Sequence, residues 1–233
     1  MKAFLLSAGL GTRLRPLTND TPKCLLPVGG STLLSIWLDL LARHGIDEVL
    51  VNSHHAAQKM QQFVSEYRGP VKITLTYEET LLGSAGTVRE NWSFVKDEES
   101  FFICYSDNLT DADLTHLLEF HRKNRGVLTC ALFQPPNPSA CGIVETDSEG
   151  RIIHFEEKPS HPRSNLANAG IYVASPELIK YIPDRVPCDL GYDVLPKLVG
   201  KSFGVPVKGF LMDIGTHENY QLAQRLWPEL ASR

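Results

Sequence analysis

Residues Leu5–Pro27, L-L-S-A-G-L-G-T-R-L-R-P-L-T-N-D-T-P-K-C-L-L-P, decide how this chain is read. An apolar run ends in a glycine-bearing turn, an arginine follows at once, and a lysine comes after a proline-bounded loop. That order of residues suits a polyanion. Gly9 and Gly11 carry no Cβ, so backbone N–H groups there can approach phosphate oxygens closely. Arg13 offers a planar fork for two oxygens, and Lys23 adds a compact charge from farther along. A bare G-x-G is as readily an ordinary turn between strand and helix. Arg13, Pro16, Pro22, Lys23 and Pro27 together argue against that plainer reading. Two other phosphate loops fail on spacing. No G-x-x-x-x-G-K-[ST] string occurs. A dinucleotide fingerprint needs a third glycine where Leu14 stands, and an acidic residue ending the second strand, where Val51 and Asn52 fall.

Outward from this loop, strand and helix patterns alternate. Lys2–Ser7 reads as a buried strand, and Leu33, Ile36, Trp37, Leu40 and Leu41 form a helical stripe ended by His44-Gly45. Glu48–Asn52, Val71–Tyr77, Phe101–Tyr105 and Val127–Phe133 read as strands. Ala56–Glu66, Ser84–Asn91 and a stretch around Leu114–His121 read as the helices between them. Repeated β-then-α order implies a mostly parallel sheet covered on both faces, with ligands beyond the carboxyl ends of its strands. The second half changes character. Gly142–Glu145 and Arg151–Glu156, joined by D-S-E-G, read as a hairpin, and Asn168–Val173 as a further strand. Ser175-Pro176-Glu177 carries the signature of a capped helix start. A strand near Phe210–Ile214 precedes a last helix from about His217 to Leu226. No Pro/Gly/Ser-rich linker divides the chain, so one domain over residues 1–233 is expected, and no hexapeptide repeat announces a β-helix.

Bulk composition excludes several classes. With 233 residues the chain can bury a sizeable core, and its 23 basic against 27 acidic residues lack the surplus that nucleic-acid binding requires. Cys24, Cys104, Cys130, Cys141 and Cys188 are an odd set without a C-x-x-C pair, which points to reduced core thiols. The N-terminal apolar run passes straight into G-L-G-T-R without a cleavage site, and Leu33–Leu41 is too short to span a bilayer. A soluble, cytoplasmic protein is expected, without nucleic-acid or membrane partners; assembly into a homo-oligomer stays open.

Ala8–Val28 follows the pattern A-G-x-G-T-R-L-x-P-L-T-x-x-x-P-K-x-L-L-P-V almost residue for residue. In this the chain resembles the sugar-1-phosphate nucleotidylyltransferases, above all the mannose-1-phosphate guanylyltransferase-like members. Further family-like segments lie near Gly83, Asp107, Lys158, Asn168 and Asp213. The resemblance implies a three-layer, Rossmann-like α/β fold with a small β-rich sugar-binding lobe. Nucleotide binding would fall to about residues 1–133 and sugar binding to about 134–233. It also implies that Ala8, Gly9, Gly11, Thr12, Arg13, Glu78 and Gly83 bind the nucleotide. Gly142, Glu157, Lys158 and Asn168 would bind the sugar phosphate, with Arg13, Lys23 and Lys158 as the catalytic cations. Where relatives often carry an aromatic residue before the glycine, this chain has Cys141.

Asp107 and Asp213 each close an apolar strand, in F-F-I-C-Y-S-D-N-L and F-L-M-D-I-G-T. Singly, such residues are more often turn formers. As a pair on one sheet edge they suffice for Mg²⁺, which takes one or two carboxylates plus phosphate oxygens and water. The resemblance makes them the two metal-binding aspartates. Glu157-Lys158 also reads as a solvated turn, and Glu78 as an exposed strand-end charge; a carboxylate at Glu78 would also suit the two donors on one edge of guanine. GTP with mannose 1-phosphate is therefore the first expectation. Glucose 1-phosphate with UTP, dTTP or CTP comes next, and phosphocholine with CTP is more distant. A non-catalytic nucleotide-sugar-binding regulatory protein and a metal-dependent glycosyltransferase are the competing classes. The D-x-D string Asp111-Ala112-Asp113 falls where a helix begins, so N-terminal helix charge is its expected role. His54-His55 alternate faces in a strand and are not expected to share one ion.

Overall fold

The structure, a computed structural model, describes residues 1–230. It is a mixed α/β fold with a mainly parallel central sheet and helices. In chain order its strands and helices are β1 (Lys2–Leu6), β2 (Pro27–Val28), β3 (Ser31–Thr32), α1 (Leu33–Arg43), β4 (Glu48–Ser53), α2 (Ala57–Glu66), β5 (Lys72–Tyr77), α3 (Ser84–Glu90) and β6 (Phe101–Tyr105). There follow β7 (Asn108–Thr110), α4 (Leu114–Asn124), β8 (Leu128–Phe133), β9 (Gly142–Thr146), β10 (Ile152–Glu157), β11 (Ala167–Ala174), β12 (Ser202–Pro206), β13 (Leu211–Asp213) and α5 (His217–Leu230). The chain groups into two compact units that interleave in sequence. One holds Met1–Phe4, Leu82–Cys104 and Asp113–Lys208; the other holds Leu5–Leu81, Tyr105–Ala112 and the chain from Gly209 onward.

In the unit that begins at Leu5, β4 and β5 pair in parallel from Glu48↔Lys72 to Ser53↔Tyr77. Helix α1 forms because its apolar residues recur at helical spacing: Leu33, Leu34, Ile36, Trp37, Leu38, Leu40 and Leu41 are all buried. Thr32 caps it, its hydroxyl oxygen accepting the Ser35 N–H at 3.1 Å. The Trp37 indole N–H donates to the carbonyl of Asn108 at 2.7 Å. That bond ties the buried stripe of α1 to β7. Strands β7 and β13 then pair antiparallel, with Asn108 opposite Asp213.

In the other unit β11 runs antiparallel to both β6 and β8, and β12 pairs in parallel with β8. The expected hairpin is present as β9 and β10, with Gly142 opposite Glu157. Asp113 precedes helix α4 and caps it, its carboxylate accepting the His116 N–H at 2.9 Å, where helix N-terminal charge is expected. Asp111, in the unit that begins at Leu5, accepts the Phe210 N–H. Cys104, Cys130 and Cys188 are buried free thiols here, as Cys24 is in its own unit.

One local expectation changes. Pro176–Tyr181 is a 3-10 helix, and Ser175 donates its hydroxyl to the Val127 carbonyl rather than capping the turn. Strand β12, S-F-G-V-P, adds an element beyond those read from the sequence; it pairs in parallel along β8 despite a glycine and a proline that weaken a strand.

His121 of α4 is buried and sits 2.9 Å from the Thr129 hydroxyl of β8. Burial, and secondarily the Arg122 charge, push its pKa down to about 4. The unfolded chain takes up this proton near the ordinary histidine value and the folded chain does not. His121 therefore contributes stability that is present above about 6.5 and is lost as pH falls through about 4. The loss should be on the order of 3 kcal/mol. Urea titrations of His121→Gln across this range should lack that component, and a parallel fall in both proteins would refute the assignment.

Candidate active site

The glycine loop leaves β1 at Leu6. Ala8 is buried, whereas Gly9, Thr12 and Arg13 face solvent. Apart from its chain neighbours, no described residue has a heavy atom within 4 Å of where a Cβ on Gly9 would stand. Gly11 adopts φ +61°, the left-handed region that favours glycine. Its carbonyl accepts the Thr18 hydroxyl at 2.7 Å, and a Cβ there would press on the Thr18 methyl at 3.0 Å. The following turn, Thr12–Leu14, buries Leu14 and leaves Arg13 outside. Burial of one neighbour thus aims the guanidinium outward.

Lys23 is placed in the same way. It opens the short turn Lys23–Leu25, in which Cys24 is buried. Its ammonium lies 3.2 Å from an Asp107 oxygen and 3.2 Å from an Asp213 oxygen. The two carboxylates are therefore no farther apart than twice that distance. Arg13 approaches the other Asp213 oxygen at 3.9 Å. The β7/β13 pairing makes this possible, because the Ile214 N–H donates to the Asp107 carbonyl at 3.2 Å. Asn219, in the first turn of α5, donates to the Asp213 carbonyl at 2.8 Å. A Cβ on Gly215 would stand 2.7 Å from an Arg13 guanidinium nitrogen and 3.1 Å from the Lys23 ammonium nitrogen. Glycine at 215 leaves room for the charges to converge.

Both aspartyl groups are nearly half exposed, at 42% and 45%, while Lys23 is 11% exposed. A cation already sits between two carboxylates here, so the donor set is one that draws positive charge. Among the described residues there is no group of three or more His, Cys, Asp or Glu placed to hold a metal. Two carboxylates and no soft donor fit a hard ion that completes its shell with phosphate oxygens and water.

Glu78 departs from the exposed strand-end reading. It is 4% exposed. Its Oε1 accepts from the Asn52 amide at 2.8 Å, and its N–H donates to the Ser53 carbonyl at 2.8 Å. A charge at the end of an edge strand is solvated only when no neighbour folds over it; here β4 supplies polar partners.

The other predicted residues lie in the unit that holds Leu82–Cys104 and Asp113–Lys208. Gly83 begins α3 with φ +79°, and a Cβ there would overlap the Cys188 carbonyl oxygen. Gly142, Glu157 and Lys158 are brought together. A Cβ on Gly142 would fall 2.5 Å from a Glu157 carboxylate oxygen, and the Lys158 N–H donates to the Cys141 carbonyl at 3.0 Å. Lys158 takes φ +49°, rare for a side-chain-bearing residue, and its ammonium stands 4.0 Å from Glu157. Asn168 lies on the neighbouring β11, its amide folded back onto the Tyr172 hydroxyl and the Gly170 N–H.

Burial raises the Glu157 carboxyl above its ordinary value; Lys158 opposes this and Asp189 adds to it. A raised carboxyl contributes stability below the ordinary range that is lost as pH rises through its folded pKa. Glu157→Gln should therefore gain in melting temperature relative to the parent as pH rises from about 4.5. A constant difference across the titration would sink this account. Asp189 and Gly191 escaped sequence reasoning. A Cβ on Gly191 would lie 2.6 Å from Glu157, and Asp189 accepts the Gly191 N–H and the Ser84 hydroxyl. Their contacts with Ser84 and Glu157 are distant in sequence, so no local pattern advertises them.

A family model described as nucleotidyl transferase matches residues 2–228, and the chain belongs to that family. A UTP–glucose-1-phosphate uridylyltransferase from Synechocystis is 35% identical, the match covering 97% of this chain and 63% of that protein. A putative mannose-1-phosphate guanyltransferase from Sulfolobus acidocaldarius is also 35% identical, covering 94% and 61%. The chain thus spans less than two thirds of the length of these curated relatives. The solved structure of a putative glucose-1-phosphate thymidylyltransferase from Bacillus anthracis, in complex with sucrose, matches with a TM-score of 0.86. That match covers 98% of this chain and 96% of the other at 24% identity, and it shows the shared fold. No helix among the described residues is long and apolar enough to cross a membrane.

Proposed function

We propose that the protein joins a nucleoside triphosphate to a sugar 1-phosphate, giving a nucleotide-sugar and pyrophosphate. One observation carries the reading: Arg13, Lys23, Asp107 and Asp213 converge around Gly215, in the unit that bears the exposed glycine loop. A sensor that only held a nucleotide-sugar would have no need to keep all four charges beside that loop.

In this scheme the backbone of Ala8–Thr12 and the Arg13 fork hold the triphosphate, and Glu78 and Gly83 are the residues proposed to serve its base. Gly142, Glu157 and Asn168 hold the sugar, whose phosphate Lys158 neutralises. The second pKa of a phosphate monoester is about 6, so the attacking oxygen is ionised at neutral pH without a general base. It attacks the α-phosphorus in line with the departing pyrophosphate. Catalysis then reduces to alignment and to neutralising charge on the leaving group, which Arg13 and Lys23 supply. Asp107 and Asp213 would hold Mg²⁺, which when bound screens the reacting phosphates.

GTP with mannose 1-phosphate is the first pair to test. Relatives named mannose-1-phosphate guanylyltransferase support it, among them one from Dictyostelium discoideum at 31% identity over 94% of this chain. Glu78 supports guanine less than its charge alone suggests, because Asn52 already engages Oε1. The Synechocystis relative favours UTP with glucose 1-phosphate as the second pair. A panel of GTP, UTP, dTTP and CTP against mannose and glucose 1-phosphates, read by pyrophosphate release, decides the matter. Silence across the whole panel in the presence of Mg²⁺ would overturn the reading.

A further inference from the structure

The two adjacent histidines have no part in the reaction above, yet both are engaged within the unit that begins at Leu5. The His54 Nδ1 lies 2.8 Å from the Glu78 carbonyl, at the end of β5. The His55 Nε2 lies 2.9 Å from the Thr18 carbonyl, in the loop after β1. A carbonyl only accepts, so His54 carries its proton on Nδ1 and His55 on Nε2. Both lie just past the end of β4, not within a strand as expected, and they reach two separate segments, the end of β5 and the loop after β1.

Asn52, two residues earlier, also reaches both ways. Its Oδ1 accepts the Ser7 N–H at 2.6 Å and its Nδ2 donates to Glu78 at 2.8 Å. Ser7 is the residue before Ala8, where the glycine loop begins. Thr18, 1% exposed, closes the loop by donating its hydroxyl to the Gly11 carbonyl. One four-residue segment at the end of β4 therefore holds the loop at its entry and its exit, and holds the strand end bearing Glu78.

We propose that Asn52, His54 and His55 form a bracket that sets the shape of the Ser7–Thr18 loop for triphosphate binding. They are positioning residues, since none touches Arg13, Lys23, Asp107 or Asp213 in the bonds described. The proposal rests on the nucleotide-binding part of the function above and not on the transfer step. Loss of either imidazole removes one hydrogen bond to a carbonyl and loosens the backbone that must present N–H groups to phosphate.

The test uses the whole chain with GTP and UTP, each with Mg²⁺, by titration calorimetry and by steady-state kinetics. His55→Leu and His54→Leu should each weaken the better nucleotide about tenfold, in Kd and in its KM. The sugar 1-phosphate KM should stay within about twofold. His55→Gln puts an amide N–H where Nε2 stood and His54→Asn where Nδ1 stood, so both should restore affinity to within about threefold. Melting temperatures of all four variants control for general destabilisation. Unchanged nucleotide affinity in both leucine variants overturns the bracket, as does an equal rise in both KM values. Equal weakening in the Gln and Asn variants overturns it too. A parent protein that binds nucleotide without releasing pyrophosphate sinks the transfer reaction alone, because the affinities still test the bracket. A parent that binds neither nucleotide sinks both.

Discussion

Asp107→Asn should lower the rate of pyrophosphate release in the proposed reaction by about a thousandfold or more, while the chain stays folded and still binds nucleotide. The side chain keeps its shape and loses its charge. What remains facing the Lys23 ammonium is one carboxylate, Asp213, in place of two. An isolated carboxylate is a poorer site for a divalent cation competing with water, and a cation displaced from the reacting phosphates costs transition-state stabilisation directly. The fold should not suffer, because the Asp107 carbonyl, not its carboxylate, accepts the Ile214 N–H. Binding should survive because the glycine loop and Arg13 are untouched. The check is pyrophosphate release at rising Mg²⁺, with circular dichroism and a nucleotide titration alongside. A variant that retains more than about a tenth of the parent rate at saturating Mg²⁺ removes Asp107 from the reaction.

Gly83→Ala should unfold the start of α3 and destabilise the chain by on the order of 4 kcal/mol. Gly83 combines φ +79° with ψ 163°, a conformation almost confined to glycine. The added methyl would also overlap the Cys188 carbonyl oxygen, a backbone atom that cannot swing aside. That same carbonyl accepts the N–H groups of both Ala85 and Gly86 at 3.0 Å, standing in for the side-chain cap that α3 lacks. Relieving the overlap therefore breaks two helix-starting bonds as well. Urea denaturation measures the effect directly. A loss below about 1 kcal/mol would mean that Gly83 is not held against Cys188 in solution.

Most elements were legible because their signals are local. The stripe from Leu33 to Leu41 buries one face of α1, and Phe101–Tyr105 is an uninterrupted apolar strand. The hairpin β9/β10 follows from alternation around D-S-E-G. What escaped depends on partners: β12 exists because β8 accepts it, and the turn after Ser175 tightens because its hydroxyl finds Val127. At the site, Arg13, Lys23, Asp107 and Asp213 were legible as charged residues beside glycines or at strand ends. The burial of Glu78, the room left by Gly215 and the two-way grip of His54 and His55 were not.

From sequence alone one could know that this is an α/β protein with a phosphate-friendly loop after its first strand, and which cations and carboxylates deserved attention. Periodicity, glycine placement and proline boundaries are properties of neighbouring residues, and local chain physics acts on them wherever they occur. Only the tertiary structure decided which charges meet. Lys23 is 84 residues from Asp107 and 190 from Asp213, and no local preference encodes so distant an encounter. The packing of Trp37 against β7 and the pairing of β7 with β13 create it, because Coulombic attraction acts on distance in space rather than along the chain.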